Sequence, residues 1–386
     1  VLVNKVNNLK ILHINPYPPD HLGGSEVFCK NLAINLKKKK NFDSDILTSD
    51  ILKKNVKFDY LDGSIKIFYK KNYYSLWGIN PLVNIYSFLK KNFQNYDVIH
   101  VHSYLFLTSL QSALFRKIRK FPYVLHIHGG IQTPQNLSSG LIERAQLGFK
   151  NMFFDKWIGS FTMKTADALI SVSKKDLDII KKRFNIQHNH KYYIPNGVNT
   201  EIFNKKKENG KMFVTFIGRL SYIKGFDIFM NVIKELYKKN KDLNFLIIGK
   251  GPLKKLIKPA QKNLPILHSD YYPHEKMVDI YNHSKVVLIT SRFEGVPTTM
   301  LESLACETPV IASNVGGIPE VIRNDENGLL IENFNTKSAV TKIIDVLHDQ
   351  DKSRTFGKNG RKLVLKDFSW DVITDKIEMV YKNFTS

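Results

Sequence analysis

Short apolar runs alternate with longer amphipathic stretches along this chain of 386 residues, the pattern of strands and crossover helices in a parallel sheet. In the first half, strands are predicted at LKILHIN (9–15), SDILTS (44–49), IKIFY (65–69), DVIHVH (97–102), YVLHIHG (123–129) and ALISVS (168–173). The segment KYYIPNGVNTEIF (191–203) holds a strand that runs into a Pro-Asn-Gly turn, and the Lys- and Gly-rich KKKENGK after it reads as a linker. A second set follows at MFVTFIG (212–218), NFLIIG (244–249), PIL (265–267), VVLIT (286–290), PVIAS (309–313) and GLLI (328–331), with helical periods between. The stretch 352–384 has helical spacing, with Phe368, Trp370, Ile373, Ile377 and Val380 close to one stripe that would pack against a domain.

This predicts an α/β protein of two doubly wound, Rossmann-like domains facing a central cleft, at 1–200 and 201–360, followed by a helical segment at 361–386. Open sheets of this kind bind ligands beyond the carboxyl ends of their strands, so functional residues are sought just after strands.

Composition narrows the class. Cys29 and Cys306 are the only cysteines, far apart, which excludes a disulfide framework and a cysteine zinc site and suits a reducing compartment. The opening VLVNKVNNLKILHIN contains one apolar strand and no 18-residue apolar run follows, so neither a cleavable signal nor a membrane span is expected. A cytoplasmic protein is expected, soluble or peripheral on the inner membrane face. The net charge is +23, of which residues 1–195 carry +16. That excess fits an anionic membrane surface, and it fits a Lys-rich genome composition equally well. In LIERAQLGFKNMFFDKWIGSFTMKT (141–165), Leu147, Phe149, Met152, Phe153, Phe154, Trp157 and Ile158 interleave with Lys150, Lys156 and Lys164. Such a helix suits an anionic interface; the plain alternative is a crossover helix buried on the sheet.

The densest chemistry lies in SRFEGVPTTMLESLACETPVIASNVGGIPEVI (291–322). Glu294 sits on a loop and Glu302 on the following helix, so the two carboxylates can hold different hydroxyls of one extended ligand. Gly295 and the amides at the helix N-terminus face an anion. A strand, turn and helix with one capping and one solvated Glu would be the bland reading of that pair alone. In FIGRLSYIKGFDIF (216–229), Gly218 and Arg219 end a strand, and Lys224 and Gly225 precede a helix. Two cations at a strand end can neutralise a leaving diphosphate; two solvated surface cations are the alternative.

Weaker signals lie elsewhere. NPYPPDHLGGSEVFCKNL (15–32) places Gly23 and Gly24 before a helix opened by Ser25 and Glu26, short of a full GxGxxG fingerprint. A tight turn with Ser25 as N-cap would explain it too. His126 and His128 are assigned to opposite faces of one strand, one of them packed, with Gly129 and Gly130 ending the strand. His100 and His102, one strand earlier, are structural or acceptor-side. IIGKGP (247–252), with Gly249 and Gly251, is a strand-to-helix turn. Asp43 and Asp45 have the Asp-x-Asp spacing of a divalent-metal site, but they precede their strand, away from the cleft, so no metal is assigned.

The 291–322 segment resembles the signature of the family-4 retaining glycosyltransferases, which have the GT-B fold. The resemblance implies that Glu294 lies by the donor sugar hydroxyls and Glu302 holds the ribose hydroxyls. It places amides along Gly295, Val296, Pro297 and Thr298 at the diphosphate, where Pro297, standing for a glycine in many relatives, lacks an N–H. Glu307 also stands where relatives have glycine. Arg219 and Lys224 would meet the leaving diphosphate, with Gly218 at the strand end. Gly23 and Gly24 would approach the donor phosphates, His128 the donor sugar, and the Gly249–Gly251 loop the base. The implied reaction moves a hexose from a nucleotide-diphosphate sugar, UDP before GDP, to a glycan or lipid-linked acceptor. It needs no metal or other cofactor and no nucleic acid, and it retains anomeric configuration through front-face departure and attack. The N-terminal domain would take the acceptor and the C-terminal domain the donor, with the final helix packing back on the former. Two rivals remain at this level: a GT-B sugar-nucleotide epimerase or hydrolase, which needs acid-base carboxylates across the cleft, and a basic module for nucleic acid or anionic surfaces. The second accounts for the charge and for none of the strand-end motifs.

Overall fold

A computed structural model of the chain describes every residue except 1–7, 22, 77–79, 130, 132–140, 187–189, 207–212, 333 and 386. Gly130 and most of the expected linker at 205–211 lie outside the described residues. The chain forms two compact units, residues 1–132, 148–195 and 370–386 in the first and residues 133–147 and 196–369 in the second.

The first unit contains β1 (Lys10–Ile14), β2 (Asp43–Ser49), β3 (Phe58–Leu61), β4 (Ile65–Lys70), the hairpin β5 (Asn72–Leu76) and β6 (Asn80–Val83), β7 (Val98–His102), β8 (Tyr123–Ile127), β9 (Ala168–Ser171) and β10 (Lys191–Tyr193). Eight of them form one sheet in the order β10-β9-β8-β7-β1-β2-β4-β3, parallel except for the β3–β4 pair. Chain order reverses at β1, which pairs with β7 on one side and β2 on the other. Such a switch point opens a crevice at the strand ends. The central strands are buried on both faces, as parallel strands are, yet they carry polar rings: His13 on β1, His100 and His102 on β7 and His126 on β8 are all fully buried.

The second unit contains β11 (Phe213–Ile217), β12 (Asn244–Ile248), β13 (Ile266–Ser269), β14 (Ser284–Ile289), β15 (Val310–Ser313) and β16 (Leu329–Ile331). They form one parallel sheet ordered β13-β12-β11-β14-β15-β16, with its switch point between β11 and β14. The helix Phe226–Lys239 buries Phe226, Phe229, Val232, Ile233 and Leu236 against Phe216 and Phe245. That 3–4 residue spacing makes one apolar stripe, and each such side chain contributes about 1.5–3 kcal/mol on burial. On the other face, Met300, Leu301 and Leu304 of the helix Thr298–Ala305 pack on Val287 and Ile289.

The C-terminal stretch is two helices, Gln350–Asp367 and Trp370–Thr385, rather than one. Between them the Phe368 carbonyl accepts from the Val198 amide at 2.9 Å, and Ser369 bridges Val198. Phe368 joins the core of the second unit, whereas Trp370, Ile373, Ile377, Val380 and Tyr381 bury against Phe28, Leu32 and Leu36 of the first. The boundary read at 361 thus falls inside a helix of the second unit, and the chain changes unit after Ser369. The earlier change falls after Pro195 rather than at 200.

Candidate active site

In the second unit, the loops after β11 and β14 meet. Lys224 Nζ donates to Glu294 Oε1, and Ser291 Oγ donates to the same oxygen at 2.9 Å. Glu294 is mostly buried, with 11% of its side chain exposed. Its carbonyl lies so close to Gly316 that a Cβ there would stand 1.7 Å away, and Gly316 has φ +57. A side chain at Gly316 is therefore excluded both by space and by backbone conformation. Gly317 donates its amide to the Gly295 carbonyl at 3.1 Å, and Asn196 Nδ2 donates to the Val296 carbonyl at 2.7 Å. The loop Glu294–Pro297 is thus fixed from two sides as it enters the helix at Thr298, whose first amides have no intrahelical acceptor. An anion is favoured at that end.

Arg292 secures the same junction. Its guanidinium forks onto Asp227 with two contacts of 2.7 Å, donates to the Tyr222 carbonyl at 2.7 Å, and stacks 3.7 Å from the Tyr222 ring. It therefore clamps the loop carrying Lys224 to the loop carrying Glu294. Arg219 stands exposed at the end of β11, in no ion pair among the described residues.

Glu302, on the helix Thr298–Ala305, is only 6% exposed. Tyr281 OH donates to Glu302 Oε2 at 2.5 Å, and His274 Nε2 lies 2.8 Å from Oε1. Burial and the Glu302 charge push the Tyr281 hydroxyl well above its ordinary value, so it remains a donor. Gly218, Gly249 and Gly251 bring two loops into contact: the Leu220 amide donates to the Lys250 carbonyl at 3.0 Å. A Cβ at Gly249, which has φ +140, would stand 2.0 Å from the Gly218 carbonyl. His268 Nε2 lies 3.0 Å from the Gly249 carbonyl.

In the first unit the glycine pair is not the expected loop. The helix begins at Gly24, and Gly23 is its N-cap, with no side-chain cap from Ser25. The Glu26 carboxylate folds back onto this turn, where a Cβ at Gly23 would lie 2.1 Å from Glu26 Oε2. Glu26 is buried, and desolvation raises its carboxyl above the usual value, partly offset by its own backbone amide and by His21.

His126 and His128 do not face opposite ways. Residues two apart on a strand share a face, and these rings stack with centroids 4.3 Å apart. The half-buried His128, just past β8, lies against Phe28 at 4.9 Å. A chain of contacts continues inward, with His128 Nε2 3.0 Å from His102 Nδ1 and His102 Nε2 3.2 Å from His13 Nδ1. His100 Nδ1 lies 2.6 Å from Tyr381 OH. Burial pushes His13 and His128 down to about 3 and holds His100, His102 and His126 well below the usual imidazole range. Asp43 and Asp45 are taken up locally, by Lys37 at 2.5 Å and by Tyr96 OH at 2.8 Å.

Comparison with known proteins gives this geometry its class. The chain matches the models of Glycosyltransferase Family 4 over residues 22–202 and of Glycosyl transferases group 1 over residues 198–363. It belongs to the group 1 glycosyltransferases. An uncharacterised glycosyltransferase of Methanocaldococcus jannaschii is 28% identical over 382 residues, covering 98% of this chain and 99% of the relative. The UDP-Gal:alpha-D-GlcNAc-diphosphoundecaprenol alpha-1,3-galactosyltransferase of Escherichia coli is 27% identical over 351 residues, covering 84% and 85%. Sucrose-phosphate synthase from Thermosynechococcus elongatus superposes with a TM-score of 0.80 at 19% identity, covering 97% of this chain and 98% of the other. HepE of Anabaena, solved in complex with UDP-glucose, does so at 0.72 and 16%, covering 97% and 100%. The fold is GT-B, two Rossmann-like domains.

Sequence reasoning placed Lys224, Glu294 and the amides after Glu294 together in this glycosyltransferase, and they are together. It missed Ser291 and Arg292, though both flank Glu294 in the same motif. It also missed Asn196, His274 and Tyr281. The partners of Glu302 carry no motif of their own, since His274 and Tyr281 lie in the segment between β13 and β14 and meet Glu302 only in the fold.

Proposed function

We propose that this glycosyltransferase moves a hexose from a UDP-sugar, with a GDP-sugar as second choice, to a glycan or lipid-linked acceptor, retaining anomeric configuration without a metal ion. The junction of Lys224, Glu294 and the helix opening at Thr298 carries this reading, since it presents a cation, a fixed carboxylate and helix amides in one place. The donor diphosphate would sit at those amides, drawing Lys224 and the exposed Arg219 onto the charge that develops as the glycosidic bond breaks. Glu302, oriented by Tyr281 and His274, would take the ribose hydroxyls. Glu294 already accepts from Lys224 and Ser291, which disfavours it as a covalent nucleophile and favours front-face attack by the acceptor hydroxyl. His128 and the Gly23 turn would serve the sugar and the acceptor side. The relatives' names support the donor choice: one uses UDP-Gal, and another was solved with UDP-glucose.

The lipid-linked acceptor draws support from the 141–165 segment. Phe149, Met152, Phe153 and Trp157 are all exposed there, on a unit whose residues are strongly basic. Phe154 is buried, so the helix has a core face and a bare aromatic face. A basic surface with exposed aromatics suits an anionic bilayer. Among the described residues no helix is long and apolar enough to cross a membrane.

The test is turnover of a UDP-hexose panel with a polyprenyl-diphosphate sugar acceptor, the anomeric coupling of the product being read by NMR. Nucleotide release only in the presence of acceptor, with an unchanged anomeric configuration, is the expected result. Release without acceptor would indicate a hydrolase, and an inverted product would overturn the front-face reading.

A further inference from the structure

The buried histidines of the first unit exceed what packing or a sugar contact needs. Two overlapping triplets, His13–His100–His102 and His102–His126–His128, each bring three ring nitrogens within 4.8 Å of one another. We propose that His102, His126 and His128 bind one divalent late transition-metal ion of the Zn2+ type, with water completing a four-coordinate site.

Four observations carry this. The separation of His102 Nδ1 and His128 Nε2 is 3.0 Å, close to the ~3.3 Å between two ligands of a tetrahedral ion with metal–nitrogen bonds of about 2.0–2.1 Å. Among the described residues, both nitrogens of His126 and Nδ1 of His128 are buried with no hydrogen-bond partner, so the chain of ring-to-ring contacts does not employ His126, whereas an ion would. On its other side, His102 Nε2 faces His13 Nδ1 at 3.2 Å, the outer-shell contact that fixes ring orientation in histidine metal sites. The triplet is all nitrogen, which favours zinc-like ions over Mg2+, Ca2+ or Mn2+.

The choice between triplets follows from access and electron pairs. A neutral imidazole has a single free lone pair, and His102 belongs to both sets, so one ion is bound and not two. His13, His100 and His102 are wholly buried, whereas His128 is half-buried past the end of β8, which makes the second triplet the one nearer the surface. If His128 also meets the donor sugar, as proposed above, a bound ion withdraws it and slows transfer; the binding claim stands apart from that reading.

The experiment uses the full chain freed of metal by chelation. Titration with Co2+ is expected to produce the visible absorption of a tetrahedral nitrogen site, reversed by Zn2+, and calorimetry with Zn2+ to show one ion per chain. His128→Asn, at the accessible edge, and His126→Leu are each expected to weaken binding by about 10-fold or more, and His13→Asn by roughly 10- to 100-fold through the outer shell. His190→Gln, an exposed histidine, should bind as the parent does. Circular dichroism identifies any variant that fails to fold, and His128→Asn then decides alone. No cobalt spectrum, two ions per chain, or undiminished binding in His128→Asn would overturn the proposal.

Discussion

Lys224 and Glu294, 70 residues apart in sequence, form an ion pair where the loops following the neighbouring strands β11 and β14 meet. The pair holds the cation beside the loop that leads into the helix at Thr298, so in the proposed reaction an arriving diphosphate would take over a charge already in position. Lys224→Ala is expected to lower turnover by roughly 10²-fold, the scale for losing a group aimed at developing charge. Arg219→Ala should do the same, with little change in overall stability because that side chain is exposed. Steady-state kinetics with a saturating donor checks both; unchanged turnover in either variant removes that residue from the reaction.

Arg292 braces the two loops that carry this pair, a positioning role in the proposed reaction. Its bidentate contact to Asp227 and its stacking on Tyr222 hold the Lys224 loop. Arg292→Ala should reduce turnover about 10- to 10²-fold, the cost of a misplaced catalytic group. Arg292→Lys should not rescue it, because an ammonium lacks both the planar fork and the stacking face. Full activity in Arg292→Lys would show that charge alone suffices at this position.

Glu26 should make stability depend on pH in an identifiable direction. Desolvation raises its folded-state carboxyl above the ordinary 4.5, so the folded chain holds that proton more tightly than the unfolded one. Its contribution is fully present below 4.5 and is lost as pH rises through the shifted value. Glu26→Gln is therefore expected to raise the melting temperature at pH 7 and to flatten its decline above 4.5. A melting temperature at pH 7 lowered by the substitution would mean that the ionised carboxylate stabilises the fold.

Donor turnover is expected to persist in EDTA, since the cations proposed to meet the diphosphate, Lys224 and Arg219, are side chains. An ion at the histidine cluster would have no part in the proposed reaction, so chelation should leave the rate unchanged or raise it. Activity that starts from zero in EDTA and is restored by Mn2+ would contradict this.

The strand positions and the donor motifs were legible because parallel strands buried on both faces read as continuous apolar runs, and because the motif residues sit directly after those runs. Phe216, Ile247 and Leu288 announce β11, β12 and β14 in this way. The hairpin β5–β6 was not legible: Tyr73 and Tyr74 are exposed, and no apolar alternation marks it. The break at Phe368–Ser369 was hidden because helical spacing continues across it, and the contacts with Val198 at that point are made only in the fold. The histidine cluster was partly visible as HVH and HIH, but a misjudged strand face separated His126 from His128. Their stacking, and the approach of His13 from β1, follow from the β1–β7–β8 register.

The central claim, that the second unit binds a nucleotide-diphosphate sugar between Lys224 and Glu302, is tested most directly by calorimetric titration of the parent and Glu302→Ala with UDP-, GDP- and ADP-sugars. The account predicts binding of one nucleotide class, UDP first, without added metal, and clear weakening in Glu302→Ala, because a ribose contact is made equally in ground and transition states. No binding of any sugar nucleotide by the parent, or an unchanged dissociation constant in a folded Glu302→Ala variant, would contradict it.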